Sequence, residues 1–185
     1  KNPGNISKHL NYFKGTKILE DQDFCDKYMG QCPVISITLK DVCGDDFESA
    51  YLKLAEVVSN KAKEFSFLKD SSYLDESDKA KFNLLIDEIY LKKADKQAIS
   101  YVTSAISSLS LMLYKHFNKQ VYVLIDEYDV PLAKAQSYGY HKDMVTLMSS
   151  FLGFLKDSQK DPETNKPVVK KVILTGCLKV AKNSI

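Results

Sequence analysis

Three carboxylates lie close together in the stretch VLIDEYD, residues 123–129, directly after an unbroken apolar run. The run from Val121 to Ile125 predicts a strand with both faces covered, which is typical of a central position in a parallel sheet. Residues that follow such a strand emerge at the carboxyl edge of the sheet, where α/β proteins bind their ligands. We therefore expect Asp126 and Glu127 to lie in a binding crevice.

An Asp followed by a Glu at this position suits the hydrolysis of a nucleoside triphosphate. Carboxylate oxygens are hard ligands that match Mg²⁺, so Asp126 would hold the metal ion, usually through water. Glu127 lies one residue further out, where it would orient or deprotonate the attacking water. Acids also cap strand ends and form turns without any catalytic role, so both interpretations of this short pattern stay open.

A further strand is predicted at Val172–Leu174, and it ends at Thr175 and Gly176. In enzymes of this class, the strand beside the one with Asp-Glu ends in a polar residue that contacts the phosphate or the water. Thr175 would take that role, and Lys179 and Lys182 could contact a phosphate as point charges. The alternatives are a threonine that starts a turn and lysines that face solvent.

Strands alternate with amphipathic helices along the chain. β-branched residues predict a first strand at 34–39, and apolar residues at helical spacing predict helices over 45–65, 77–93, 96–118 and from Met144 to near Asp157, with a short helical turn opening at Pro131. This alternation implies an α/β fold with a parallel sheet and right-handed crossovers. Three helices separate the first two strands, and we expect part of this insertion to form a helical layer or lid beside the sheet.

Polar residues mark the predicted helix ends. Asp45 with Glu48 resembles a capping box for the first helix, and Ser77 is the candidate cap of the second. Asn118 is the candidate end of the third helix, just before the strand at 121. These signals indicate where the chain enters and leaves the helical insertion.

Composition limits the classes of protein that the chain can belong to. Its 185 residues suit one domain, and 26 basic against 24 acidic residues give no electrostatic case for a nucleic-acid or anionic-membrane surface. No apolar run could span a bilayer, and the N-terminus lacks the apolar centre of a signal peptide, so we expect a cytoplasmic protein without a membrane partner. The four cysteines form no Cys-x-x-Cys pair, which predicts free thiols.

Four stretches of the sequence resemble a known family. FCDKYMGQCPVISITLKDV, VLIDEYDVPLAKA, GYHKDMV with FLKD, and VILTGCLKVAKNSI are together similar to the predicted AAA-ATPase-like domain of bacterial and anaerobic-fungal proteins, which is often joined to a nuclease-like C-terminal domain. The resemblance extends over nearly the whole chain. It implies a P-loop NTPase sheet flanked by helices, with ATP and Mg²⁺ as ligands, and a homo-oligomer, since AAA-like proteins often assemble. Asp126 and Glu127 match the Walker B pair, and Thr175 matches the sensor position.

The sequence departs from the family pattern in two places. Members carry a G-x-x-x-x-G-K-[ST] phosphate loop ahead of the first matched stretch, and none of the 7 glycines begins such a motif. Without that backbone nest and its lysine, affinity for a triphosphate should collapse. The family also usually has Arg at the position of Lys179, and a lysine lacks the planar fork suited to bidentate phosphate contact.

These departures, together with a start at Lys1 and an end at Ile185 just after a predicted strand, lead us to expect a fragment. Residues 1–185 would then be a single incomplete AAA-ATPase-like domain, inactive alone, that supplies the metal-binding Asp and the water-activating Glu of a larger ATP hydrolase. The alternative is a non-catalytic interaction or scaffold module with a degenerate NTPase fold.

A metal-dependent nuclease using Asp126, Glu127 and Asp129 is less favoured. Such sites generally pair their acids with a Glu-x-Lys on a neighbouring strand, and the stretch KKVILTG supplies no such Glu. Nothing in the chain indicates whether nucleic acid is a partner. Tyr128 and Asp129 belong to the family motif without an assigned role, and Asp129 would either hydrogen-bond a neighbouring loop or assist the metal.

Overall fold

The computed structural model of the protein describes residues 10–156, 159–162 and 164–177. Within these ranges, three parallel strands form one sheet in the order β1–β2–β3, and these are Val34–Thr38 (β1), Val121–Asp126 (β2) and Val169–Leu174 (β3). The apolar run of β2 therefore occupies the central position that the sequence predicts. The α/β class with a parallel sheet is confirmed, and the sheet is consistent with an incomplete P-loop-like fold.

Helices precede and connect the strands. The described helices are α1 (Gln22–Tyr28) before β1, then α2 (Phe47–Lys63), α3 (Glu76–Ile86), α4 (Glu88–Leu91) and α5 (Lys96–Phe117) between β1 and β2, and α6 (Val130–Tyr138) and α7 (His141–Phe151) between β2 and β3. Short 3-10 turns lie at Asn11–Phe13, Lys17–Glu20, Ser66–Asp70 and Gly153–Leu155. Within the described ranges, none of these helices has both the length and the apolar character needed to cross a membrane.

Side chains of β2 alternate in burial along the strand. Val121, Val123 and Ile125 are almost completely buried, whereas Tyr122 and Leu124 are half-buried. The long insertion packs beside the sheet, with α2 against β1 and α5 against β2. The insertion thus forms the helical layer that the sequence predicts, and this layer holds the strand that carries the acidic motif.

Most of the predicted apolar stripe residues of the helices lie in the core, although Ile89 is 81% exposed. Buried stripe residues of α5 and α7 are Val102, Ile106, Leu109, Leu113, Met144, Leu147, Met148 and Phe151. Burying one such side chain stabilises the fold by about 1.5–3 kcal/mol relative to leaving it exposed. Because α7 packs on α5, this core also fixes the connection between β2 and β3.

Two helices begin at residues other than the predicted caps. Asp46, rather than Asp45, caps α2, where its carboxylate accepts a backbone N–H at 2.7 Å. Asp75, rather than Ser77, caps α3, with a corresponding distance of 2.8 Å. Several candidate caps lie within two residues of each other here. The one that acts has extended backbone and reaches the N–H of the third residue beyond it.

The stretch predicted as one helix over 77–93 is two helices. Asp87 separates them: its backbone leaves the helical region with ψ of 90°, and its carboxylate accepts the N–H of Tyr90 at 2.9 Å. Asn118 ends α5 as predicted, in the left-handed conformation with φ of 49°. Asn adopts this conformation more readily than most residues because its short side chain bonds locally.

The connection into β3 also differs from the prediction. The helix expected to end near Asp157 ends at Phe151, and the 3-10 turn follows; Asp157 itself lies outside the described residues. β3 begins at Val169, three residues earlier than predicted. The lysines at 170 and 171 obscure the strand pattern, and both are exposed. Among the described residues β3 pairs on one side only, and Ile173 and Leu174 are 41% and 37% exposed.

His116 lies near the end of α5, at the opposite edge of the sheet from the acidic motif. Its Nδ1 is 2.8 Å from the hydroxyl oxygen of Ser71, and the rings of Phe67, Tyr73 and Phe117 pack around it. Partial burial lowers the pKa of His116 below its ordinary value of 6.5, because the charged form loses hydration.

Acidification should therefore destabilise the fold through His116. Its depressed pKa means that the unfolded chain binds a proton more readily, so the contribution is complete above about pH 6.5 and is lost as the pH falls through the folded-state value. His116→Gln retains a polar partner for Ser71 without titrating. Urea unfolding at several pH values should show wild type losing stability relative to this variant as the pH decreases; a pH-independent difference would contradict the assignment.

Candidate functional site

The parallel pairing of β2 with β3 brings Asp126 and Thr175 together. Ile125 pairs with Leu174, and the N–H of Thr175 donates to the carbonyl of Ile125 at 2.9 Å, which continues the ladder past the end of β3. The Thr175 hydroxyl donates to Oδ1 of Asp126 at 2.5 Å. Both side chains are exposed at the carboxyl edge of the sheet, where a ligand can reach them.

A register shift at the start of the pairing decides which residue faces Asp126. Val121 pairs with Val169 but Tyr122 pairs with Lys171, so Lys170 is an extra residue on β3. A regular ladder from Val121 would place Leu174 opposite Asp126. The irregularity advances β3 by one residue, and the polar Thr175 follows Leu174 to the edge instead.

The backbone turns sharply at Glu127, which has a left-handed φ of 53°. Its N–H donates to Asp126 Oδ1 at 3.0 Å, and the next N–H, of Tyr128, donates to the Thr175 carbonyl at 3.2 Å. A residue with a long side chain in this conformation costs about 1–2 kcal/mol. The bonds of the turn hold that strain in place, and such strain is concentrated at functional sites.

The turn after β2 is also tied to the segment after β3. Asp129 is 3% exposed, and its Oδ2 accepts the N–H of Cys177 at 3.1 Å. Gly176 lies so close that a Cβ there would be 2.3 Å from Asp129 Oδ1. Residue 176 must therefore lack a side chain as long as this carboxylate is in place.

On its other side, the motif is connected to β1 and α6. The N–H of Leu39 donates to the Asp126 carbonyl at 2.9 Å, which extends the β1–β2 pairing to the end of the strand. α6 starts at Val130, and Pro131 lies in its first turn, where a missing N–H costs no helical hydrogen bond. The helix is longer than the short turn that the sequence predicts, and it begins immediately beside the acids.

The few carboxylates at this edge fit a magnesium ion that takes most of its ligands from water and phosphate oxygens. The described residues contain no group of three or more His, Cys, Asp or Glu side chains that could hold a metal ion. Mg²⁺ typically keeps several waters and binds through one or two carboxylates plus phosphate oxygens of its substrate. Asp126 is exposed, and the hydrogen bonds that its carboxylate accepts from described residues both end on Oδ1, so Oδ2 is the oxygen suited to such an ion.

Some of the site residues predicted from the sequence lie within the described part of the chain. The structure brings Asp126, Glu127 and Thr175 into one edge, whereas Lys179 and Lys182 lie outside the described residues. For Asp129, the sequence left two roles open, a hydrogen bond to a neighbouring loop or assistance to the metal. The contact of its carboxylate with residues 176 and 177 corresponds to the first of these roles. A glycine immediately after Thr175 was the available signal, although it indicated only a turn.

The chain was compared with known protein families and proteins. A family model described as Predicted AAA-ATPase matches residues 5–185, a range that contains the three described strands and the edge at Asp126 and Thr175. No curated protein matches the chain, and no solved structure matches it.

The strain at Glu127 can be measured by replacing the side chain in two ways. Glu127→Gly and Glu127→Ala both remove the carboxylate, but only glycine adopts positive φ without steric cost. We expect the glycine variant to have the higher free energy of unfolding, by about 1 kcal/mol. Chemical denaturation of both variants makes the comparison, and an alanine variant as stable as the glycine variant would rule out backbone strain at this residue.

Proposed function

The chain belongs to the predicted AAA-ATPase family, and from this membership we propose that it binds and hydrolyses ATP as a domain of a larger protein. The observation that carries the proposal is the hydrogen bond between Thr175 and Asp126 at the carboxyl edge of the central strand. It joins the polar end of one strand to the acid of its neighbour, directly beside Glu127. Family membership supports the fold-level part of this proposal, and the edge geometry supports the roles of the individual residues.

Asp126 is proposed to hold Mg²⁺, directly or through water. The ion supplies charge neutralisation for the β- and γ-phosphates when it is bound with the nucleotide. The Thr175 hydroxyl and the Glu127 N–H both donate to Asp126 Oδ1, so the carboxylate is oriented before any ligand arrives. Such preorganisation lowers the reorganisation needed during the reaction.

Glu127 is proposed to act as the general base. In hydrolysis, the water oxygen forms a bond to the γ-phosphorus, the bond from that phosphorus to the bridging oxygen breaks, and ADP leaves with that electron pair. The proton lost by the water passes to the Glu127 carboxylate. The left-handed backbone at Glu127 changes the chain direction straight after Asp126, so the two acids do not continue the alternation of the strand.

Thr175 is proposed to contact the γ-phosphate or the attacking water while it orients Asp126. Lys179, which lies outside the described residues, is proposed to contact the phosphates as a point charge. The chain contains no G-x-x-x-x-G-K-[ST] motif, so the proposal also requires a phosphate loop from another part of the complete protein. Residues 1–185 alone would then bind ATP weakly and turn it over very slowly.

Removing the charge of Glu127 should separate nucleotide binding from turnover. In the full-length protein, Glu127→Gln is expected to slow Mg²⁺-dependent phosphate release by about 10²–10⁴-fold, because a positioned general base contributes roughly that much. Binding of a fluorescent ATP analogue should be retained.

A matched control for that experiment is Glu76→Gln, the same chemical change at a side chain that is 91% exposed in the helical insertion. It should leave turnover unaltered. Phosphate release that continues at the wild-type rate in Glu127→Gln would remove this residue from the base role.

The role of the Thr175 hydroxyl can be tested by shape-matched substitution. Thr175→Val retains the branched shape but cannot donate to Asp126, and it should reduce turnover by about tenfold, since a hydrogen bond to a charged group contributes roughly that factor. Thr175→Ser restores the hydroxyl and should recover most of the rate. Equal rates in the valine and serine variants would mean that the hydroxyl has no part in hydrolysis.

A non-catalytic interaction module is the second candidate, because the sequence lacks the phosphate-loop motif. Under that function the Asp126 edge would serve only as a structural turn. Titration of the full-length protein with Mg²⁺-ATP distinguishes the two: binding supports the ATPase proposal, and no binding at millimolar nucleotide favours the module.

A further inference from the structure

We propose that Asp129 is a positioning residue: its buried carboxylate holds the segment after β3 so that Thr175 stays bonded to Asp126. The catalytic consequence rests on the ATPase function proposed above, whereas the positioning itself rests on the contacts of the described residues.

The burial of Asp129 is unusual for its surroundings. Asp126 in the same turn is exposed, while Asp129 is only 3% exposed. Carboxylates are rarely buried unless hydrogen bonds or charges compensate for lost hydration. Asp129 is the N-cap residue of α6, yet within the described residues its side chain makes no capping bond to that helix. Its Oδ2 instead accepts the N–H of Cys177, 48 positions further along the chain.

Gly176 permits this contact. A Cβ at residue 176 would lie 2.3 Å from Oδ1 and 2.9 Å from Cγ of Asp129, so the carboxylate packs directly on the backbone. The next nearest atom, Cδ1 of Tyr128, would be 3.0 Å away. The buried Asp129 carboxylate occupies the space that a side chain at residue 176 would need, so the contact requires glycine at that position.

Backbone hydrogen bonds hold Thr175 and the residues that follow it. The Thr175 N–H donates to the Ile125 carbonyl, and the Thr175 carbonyl accepts the Tyr128 N–H. Two residues further on, the Cys177 N–H donates to Asp129 Oδ2. Without the last bond, the chain beyond Thr175 would be free to move away from the β2 turn. The Thr175 side chain would then sample rotamers that do not reach Asp126 Oδ1.

The same contacts argue against Asp129 as a direct metal ligand. One oxygen accepts a backbone N–H, and the other lies against the Gly176 backbone in a buried position. A hard cation needs ligand oxygens that its hydration shell can reach. Of the two roles left open by the sequence, hydrogen bonding to a neighbouring loop is the one that the geometry supports.

The test uses the full-length protein with threonine methyl groups labelled with carbon-13. Three-bond couplings to the Thr175 methyl carbon report its side-chain rotamer, and hydrogen exchange reports the Cys177 amide. Wild type should show one rotamer. Asp129→Ala should show rotamer averaging and about tenfold faster exchange at Cys177. Asp129→Asn keeps an acceptor oxygen and should remain close to wild type in both measurements.

Gly176→Ala supplies an independent variant with the Asp129 side chain intact. The added Cβ should displace the carboxylate and cause the same averaging at Thr175. In the Asp129→Ala background the clash with the carboxylate is gone, so the second substitution should add little, and the two effects should be strongly non-additive. Additive effects, or unchanged Thr175 couplings in Asp129→Ala, would overturn the proposal.

Kinetics separate this inference from the function on which it rests. In Asp129→Ala, kcat for ATP should fall by about tenfold with KM little changed, and Asp129→Asn should recover most of it. If Asp129→Ala averages the rotamer and leaves kcat unchanged, the catalytic consequence of the positioning is overturned. If wild type hydrolyses no ATP, the ATPase function fails, and the couplings alone decide whether Asp129 positions Thr175.

Discussion

The pairing of β2 with β3 past the ends of both strands is the constraint on which the candidate site depends. The N–H of Thr175 bonds the Ile125 carbonyl, and the Thr175 carbonyl accepts from Tyr128, so the two strand ends stay in register where they become loops. A single register irregularity beside Val121 sets which residue arrives opposite Asp126. Without that irregularity, Leu174 would lie opposite Asp126. The residue type at the edge therefore depends on strand pairing five residues earlier on β2.

The helical layer makes that edge rigid enough to retain strain. β2 is anchored by three buried side chains, and α5, the longest described helix, packs against it, while α7 packs on α5 and fixes the return to β3. This packing holds the left-handed Glu127 backbone against its steric cost. The buried Asp129 adds a second connection between the two loops. The candidate site residues thus lie at the end of β2 and on the loops that follow β2 and β3, and both loops are restrained by the core beneath them.

The elements that the sequence predicted well depend on local or periodic signals. The apolar run at Val121–Ile125 predicted a central strand, and Asn118 predicted a helix end. Two helix starts were wrong by one or two residues, because neighbouring Asp and Ser residues are equivalent caps until side-chain geometry chooses one. β3 was predicted too short because exposed lysines lie within a strand that has one unpaired edge in the described sheet.

Features that sequence reasoning missed or left open are non-local. Neither the left-handed conformation of Glu127 nor the proximity of Asp129 to Cys177 follows from residue type, since each depends on how the second loop folds against the first.

The most direct test of the proposed site measures where the metal binds. Mn²⁺ with a non-hydrolysable ATP analogue is added to full-length protein labelled at threonine methyls. Paramagnetic broadening should be strong at Thr175 and weak at Thr164, which lines a cavity at the opposite edge with His116. An unbroadened Thr175 while Mn²⁺-nucleotide is bound would contradict a metal site at Asp126.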